Sequence, residues 1–338
     1  MKKVLLAANF GPVHVGSHLA KGADALGIPL VKVNALEAYD APWWLRQWCW
    51  RVRGKIPPKL TEFQRSILQQ FHQAQAQIVI TTGLSPLTKA TIQSMKRAGA
   101  TVVNYSTDDP WNPAHKARWF LDALPAYDLV LSTRKANLDE FRQAGVKRVE
   151  WMPFGYAPDM HFPWEGGAVN DDDADVGFYG NVDADRIPLL EHIVNTGLRL
   201  ALHTANRVPV SLRASWRGYA DAPAMRRLMA QSTVALVIGR KANRDGHAMR
   251  SYEAPAMRGC LIVEDTQEHR EMYGAEGEAV VYYTGPDELV MKTRQLLQAG
   301  REKRQTLRHA AWERITKNNN TYADRFADML NWCESSRP

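Results

Sequence analysis

Cysteine is scarce in this chain: Cys49, Cys260 and Cys333 are the only three among 338 residues. Odd in number and far apart, they give no disulfide framework and no CxxC metal signature, which fits a reducing cytoplasm. No apolar run approaches the ~20 residues that a membrane-spanning helix needs. The opening Met1-Lys2-Lys3 and Val4–Ala8 begin like a signal peptide. Asn9, Gly11, Pro12 and His14 interrupt the run, so it reads as a first buried strand. Walker A, nucleophile-elbow and HExxH patterns are all missing. Asp171-Asp172-Asp173 lacks the spacing of a calcium loop, and His192, His203, His247 and His269 form no zinc pattern. Neither a metal nor another cofactor is expected. The basic residues are dispersed and no nucleic-acid-binding module is recognisable, so nucleic acid is not expected as a partner.

What is present is a globular composition, 45% hydrophobic and 23% charged, on a chain long enough for two cores. The net charge of +7 favours anionic partners; by charge alone nucleic acid, an anionic membrane face and a diphosphate ligand are all eligible. The first half alternates compact apolar runs (3–9, 29–33, 78–82, 101–105, 129–132) with helical periodicity over 13–26, 61–75 and 87–98. Residues 164–175 are polar and acidic without periodicity, so residues 166–175 are read as a linker. Alternation then restarts, with strands over 175–179, 198–204, 234–238 and 260–264. Helices are expected over 186–196, 222–231, 251–258, 287–299 and 303–333. Strands alternating with helices give βαβ units and parallel sheets. The fold class is therefore α/β, with domains at 1–165 and 176–315 and a cleft expected between them.

The segment 245–259, DGHAMRSYEAPAMRG, carries the strongest local signal. Ser251 is a candidate N-cap and Gly259 a candidate helix stop. A helix opening there offers amides to phosphate, with Arg250 beside it for charge-assisted bonds. Glu253 can accept from both hydroxyls of a ribose; alternatively, Arg250 and Glu253 form a surface ion pair. Gly180 and Asn181 suit a tight strand-to-helix turn after Phe178-Tyr179. Arg186 would then stand near a helix start, where a cation is unfavourable unless an anion is close. Arg240 and Lys241 add positive charge after another strand.

From about residue 129 to 330 the order of these features resembles group 1 glycosyltransferases, particularly their CgeB-like, spore-maturation-protein-like branch. Residues 132–163 resemble the end of that family's first domain and its hinge. Gly180 and Arg186 fall at its glycine turn and basic donor contact, and Glu253 at the second acid of its E-x7-E motif. Asp245, eight positions before Glu253, replaces the first glutamate. Asn320-Thr321-Tyr322 with Arg325 resembles the branch's H-T-Y…R element, with asparagine for histidine. The resemblance implies a GT-B fold, two Rossmann-like domains facing across a cleft, with a C-terminal helix (residues 316–338) returning to the first. It implies metal-independent, retaining transfer of a sugar from a nucleotide-sugar to a glycan, lipid-linked or protein acceptor, in bacterial cell-surface glycan assembly.

The donor-binding set is then Gly11, His14, Gly180, Asn181, Arg186, Arg240, Lys241, Asp245, His247, Ser251, Tyr252 and Glu253. Catalysis falls to Asp108, Asp109 and Arg250. Asp108 and Asp109, after a first-domain strand, can orient or deprotonate an acceptor hydroxyl; alternatively Asp109 fixes an Asp-Pro turn. The alternatives to transfer are a GT-B-type epimerase or phosphorylase, or a non-catalytic sugar-nucleotide sensor or scaffold. The returning helix would carry an apolar stripe of Trp312, Tyr322, Phe326, Leu330 and Cys333.

Residues 41–60, APWWLRQWCWRVRGKIPPKL, stand apart. Trp43, Trp44, Trp48 and Trp50 alternate with Arg46, Arg51, Arg53 and Lys55. On a helix, Leu45, Trp48, Cys49 and Val52 share one face. The tryptophans either fill the core, line an acceptor site, or contact the inner face of an anionic membrane from a cytoplasmic position.

Overall fold

The computed structural model describes residues 2–167 and 173–334. The chain falls into two compact units, Met1–Pro153 with Tyr322–Pro338, and Phe154–Thr321. The divisions come at residues 153 and 321, earlier than the linker at 166–175 read from composition and later than the 316 that the resemblance implied. Asp171 and Asp172 lie outside the described residues; Asp173 accepts a hydrogen bond from Gln231 Nε2 at 2.8 Å.

In the first unit the strands are β1 (Val4–Ala8), β2 (Leu30–Asn34), β3 (Ile78–Thr82), β4 (Thr101–Ser106), β5 (Leu129–Ser132) and β6 (Val149–Trp151). They form a parallel sheet in the order β2-β1-β3-β4-β5-β6. Every residue of β1 is buried, as a strand covered on both faces requires. Its helices are α1 (Val15–Ala25), α2 (Trp43–Arg51), α3 (Leu60–Ala74), α4 (Lys89–Arg97), α5 (Arg118–Leu121) and α6 (Leu138–Gln143). Phe63, Ile67 and Phe71, spaced at helical periodicity, bury one face of α3 in the core with Val79, Val102 and Val130. In α2 only Cys49 is buried. Trp48 and Val52, read as sharing one face with Cys49, are exposed, and so are Trp43, Trp44 and Trp50, which excludes a core-filling role.

The second unit contains β7 (Ala174–Tyr179), β8 (Leu200–His203), β9 (Ser232–Val237), β10 (Leu261–Glu264) and β11 (Val281–Tyr283). They are parallel in the order β11-β10-β9-β7-β8. The helices are α7 (Ile187–Asn195), α8 (Ala222–Gln231), α9 (Arg250–Ala256), α10 (Gln267–Tyr273), α11 (Pro286–Gln298) and α12 (Gly300–Thr316). From β7 the chain goes one way to β8 and then crosses to β9 on the other side. Such a reversal opens a crevice at the strands' carboxyl ends, where α/β sheets bind ligands.

The helical stretch expected over 303–333 is two helices. Asn319 adopts φ +51°, which an asparagine tolerates, and the chain turns before α13 (Tyr322–Glu334). Helix α13 belongs to the first unit, where it packs on α1. Tyr322 stacks on His18 with ring centroids 5.1 Å apart, and Arg325 Nε donates to the Pro153 carbonyl at 3.2 Å. Gly22 permits the approach: a Cβ there would lie 2.7 Å from the Tyr322 carbonyl oxygen. The buried stripe is Tyr322, Phe326, Met329 and Cys333. Trp312 is not part of it; it lies on α12 in the second unit, stacked with His309. Both sheets make the protein an α/β chain of two Rossmann-like units.

Candidate functional site

The reversal between β7 and β9 gathers two arginines. Gly180 follows β7 with φ +133°, and Arg186 occupies the position just before α7. The Arg186 side chain is 3% exposed; its Nη1 donates to Asn181 O at 3.1 Å and its Nη2 to Ile238 O at 3.0 Å. Arg250, the first residue of α9, is 9% exposed and donates from Nη2 to the same Ile238 carbonyl at 3.0 Å. Both guanidinium groups lie over the Phe178 ring, 5.8 and 5.0 Å from its centroid. The Nε groups of both have no hydrogen-bond partner among the described residues.

Charge balance at this point is poor. Asp183 approaches Arg186 only to 3.7 Å and accepts a closer bond, 3.1 Å, from Arg240 Nε. Among the described residues Arg250 makes no ion pair. Burial, and then the neighbouring Arg250, holds Arg186 below the usual guanidinium range. Burial depresses Arg250 likewise. Two desolvated cations sharing one carbonyl leave unmet donor capacity that a bound anion would satisfy.

Glu253 follows Arg250 by three positions on α9 and so lies on the same side of the helix. It is buried, accepts from Tyr179 Oη at 3.0 Å, and has His161 Nε2 3.9 Å from Oε1. His161 is oriented by the Ala157 amide, which donates to its Nδ1 at 3.0 Å. Burial, and then the Glu253 charge, pushes the Tyr179 phenol well above its ordinary range, so it stays a donor to the carboxylate. Tyr179, His161 and the Ile238 carbonyl were not among the residues foreseen from sequence. An aromatic pair ending β7 was the available signal for Tyr179; the other two become neighbours only through the fold.

Several foreseen residues take structural positions. Ser251 is not the N-cap of α9; that position is Met249, with no side-chain cap. The Ser251 hydroxyl accepts from the Ala248 amide at 3.1 Å and donates to His269 Nε2 at 2.9 Å. His269 Nδ1 donates to Glu264 O at 2.8 Å, and burial pushes this imidazole down to about 4, so it is neutral. The amides of Ser251, Tyr252 and Glu253 bond back to Ala248 and Met249 carbonyls at 2.9–3.1 Å. They are not free for phosphate, whereas Arg186 and Arg250 keep Nε groups without a partner among the described residues. Pro255 lies inside α9 and cannot bond the Ser251 carbonyl; the Tyr273 hydroxyl supplies that bond instead.

Tyr252 is buried with its ring edge-on to His247. His247 is also buried: its Nδ1 bonds Glu268 and its Nε2 accepts from the Phe154 amide at 3.3 Å. Both nitrogens are committed to the interior. Asp245 Oδ2 accepts from the Arg240 amide at 3.0 Å and so closes the loop after β9. Lys241 is exposed on that loop, and Asn181 is exposed at its own turn.

In the first unit, Gly11 and His14 lie in the turn between β1 and α1, where the His14 amide donates to Gly11 O at 3.0 Å. His14 is exposed at the start of α1; partial burial lowers its pKa, and the Asp108 charge opposes that. The two residues follow the carboxyl ends of β1 and β4 respectively. Asp108 is half-buried, whereas Asp109 is buried, with Oδ1 accepting from the Trp111 amide at 2.9 Å and Asn137 Nδ2 at 3.1 Å. Asp109 thus fixes the Asp-Pro turn, the alternative reading of that residue.

Among the described residues no cluster of three or more His, Cys, Asp or Glu is arranged to hold a metal ion, and no helix is long and apolar enough to cross a membrane.

Residues 186–331 match a family model described as "Glycosyl transferase-like". No curated protein sequence matches the chain. Among solved structures, sucrose-phosphate synthase from Thermosynechococcus elongatus is similar over 100% of both chains, with 11% identity and a TM-score of 0.71. Anabaena HepE in complex with UDP and glucose is similar over 100% of both chains, with 11% identity and a TM-score of 0.66. A protein described as a UDP-N-acetylglucosamine 2-epimerase from Listeria monocytogenes is similar over 100% of this chain and 98% of that one, with 12% identity and a TM-score of 0.62. At these identities the likeness is one of fold: the chain has the GT-B fold, and the similarity to the glycosyl transferase-like family is that of residues 186–331.

Proposed function

We propose that the protein transfers a sugar from a nucleoside-diphosphate sugar to a hydroxyl acceptor. The observation that carries this reading is the Arg186–Arg250 pair, two buried cations on one carbonyl with Nε groups unpartnered among the described residues. Cleavage of the bond between the sugar's anomeric carbon and the phosphate oxygen leaves negative charge on the departing diphosphate. Fixed guanidinium groups stabilise that charge without reorganising, worth about 2.7–4 kcal/mol for each donor lost in comparable sites. Arginine here takes the part that a magnesium ion plays elsewhere, so the reaction is metal-independent. Glu253, held by Tyr179, accepts from the ribose hydroxyls. Asp108 orients or deprotonates the acceptor hydroxyl. The group 1 resemblance supports retention of the anomeric configuration. The acceptor is a glycan, a lipid-linked sugar or a protein.

The test is thermal unfolding with a panel of nucleoside diphosphates and their sugars. A ligand that binds only the folded state raises its stability, by about 2.7 kcal/mol at a hundredfold excess over Kd. At least one diphosphate should stabilise the wild type, and Arg250→Ala should abolish the shift. A wild type that none stabilises would overturn the reading. The fold shared with the epimerase favours a second reading, isomerisation of the donor. Conversion of a nucleotide-sugar without added acceptor would select it.

A further inference from the structure

Helix α2 presents a surface that neither sheet's site uses. Trp43 and Trp44 are 68% and 64% exposed, and Trp48, Trp50 and Val52 are exposed with them. Isolated exposed apolar residues are ordinary, but this many on one short helix form a patch, and a domain normally gains by burying tryptophan. Trp44 and Trp48, four apart, share one flank of the outer surface. Trp43 and Trp50 share the other, with Arg51 between the flanks.

The charge on this surface has one sign. Residues 41–60 include Arg46, Arg51, Arg53, Lys55 and Lys59 and no acid. Lys59 pairs with Asp40, and Lys55 Nζ donates to Pro113 O at 2.7 Å. Arg46, Arg51 and Arg53 are exposed and make no ion pair among the described residues. The Arg53 guanidinium lies 5.4 Å from the Trp48 ring centroid, and Lys55 Nζ 5.6 Å from that of Trp50. Cations and rings thus lie together on one exposed surface.

We propose that this face docks the protein on an anionic membrane surface. Indole is apolar in body and polar at its N–H, so it partitions to the headgroup boundary, while guanidinium groups bind lipid phosphates. A groove or a flat aromatic platform would suit a peptide or a sugar. Exposed rings on both flanks, with Arg51 between them and Arg53 and Lys55 against Trp48 and Trp50, instead match a planar, deformable, negatively charged surface. The inference is independent of the transfer chemistry, because no residue of α2 belongs to the nucleotide site.

Flotation with vesicles tests it without any nucleotide. The wild-type protein should bind phosphatidylcholine vesicles containing phosphatidylglycerol and not phosphatidylcholine alone, with a blue shift of tryptophan emission. Binding should weaken from about 0.01 M to about 1 M salt, as the Debye length falls from about 30 to about 3 Å. Trp43→Ser with Trp44→Ser, and separately Arg46→Gln with Arg51→Gln and Arg53→Gln, should each lower partitioning about tenfold or more. Thermal unfolding of both variants should match wild type, since all these side chains are exposed. No binding to anionic vesicles at low salt, or variants that bind like wild type, would overturn the proposal. So would self-association of the wild type that the tryptophan variant abolishes without any vesicle binding, which would make the patch an interface between copies.

Discussion

Gly180 lies directly beneath Arg250: a Cβ added at this glycine would be 2.4 Å from Arg250 Nη1. The two residues are seventy positions apart in sequence, and the guanidinium occupies the space that a side chain would fill. Gly180→Ala should therefore displace Arg250 from Ile238 O and strain a backbone at φ +133°. The expected outcome is a loss of diphosphate affinity of at least tenfold, about 1.4 kcal/mol, read by titration. An unchanged Kd would show that Arg250 does not hold the diphosphate from this position.

Glu253→Gln should separate binding from stability. The amide keeps an acceptor for the Tyr179 hydroxyl, so unfolding should change little, while the charged acceptor for ribose is lost. Glu253→Ala leaves that buried hydroxyl unpaired and should cost about 1–3 kcal/mol of stability in addition. Equal unfolding midpoints for the two variants would contradict the Tyr179 bond.

Stability should fall in acid within a defined window. His269 is buried neutral, with its pKa lowered from 6.5 to about 4. A depressed folded-state value means that its contribution is full above 6.5 and is lost as pH falls from 6.5 toward 4. The total is on the order of 3 kcal/mol. His269→Gln cannot take up that proton, so its denaturant midpoint should depend less on pH across this window. A variant as pH-sensitive as wild type would assign the acid loss to other groups.

Helix α13 should stabilise the first unit. Truncation after Asn318 removes Tyr322, Phe326, Met329 and Cys333 from the core, each worth about 1.5–3 kcal/mol when fully buried. Gly22→Val, which presses on the Tyr322 carbonyl, should cost about 1–3 kcal/mol. Unfolding unchanged in either variant would contradict the α1–α13 packing.

Transfer should survive chelation. After dialysis against EDTA, turnover of a confirmed donor should equal that of the untreated protein. Activity lost and restored only by magnesium or manganese would sink the arginine-based mechanism.

Sequence alone determined the elements and their class. Apolar runs such as 78–82 and 129–132 are strands because alternation with amphipathic helices leaves them no other place to bury both faces. The same local reasoning placed Gly180 at a turn and Arg186 before a helix, since turn chemistry acts over a few residues. Tertiary structure decided which charges meet. Arg186 and Arg250 share the Ile238 carbonyl only because β7 and β9 are neighbours, an adjacency that no local spacing encodes. It also decided what is hidden. Ser251 and His247 look available in sequence, but their side chains bond inward to His269 and Glu268. The tryptophans of α2 look like core and are exposed, because periodicity identifies a helix's faces but not whether another element covers them.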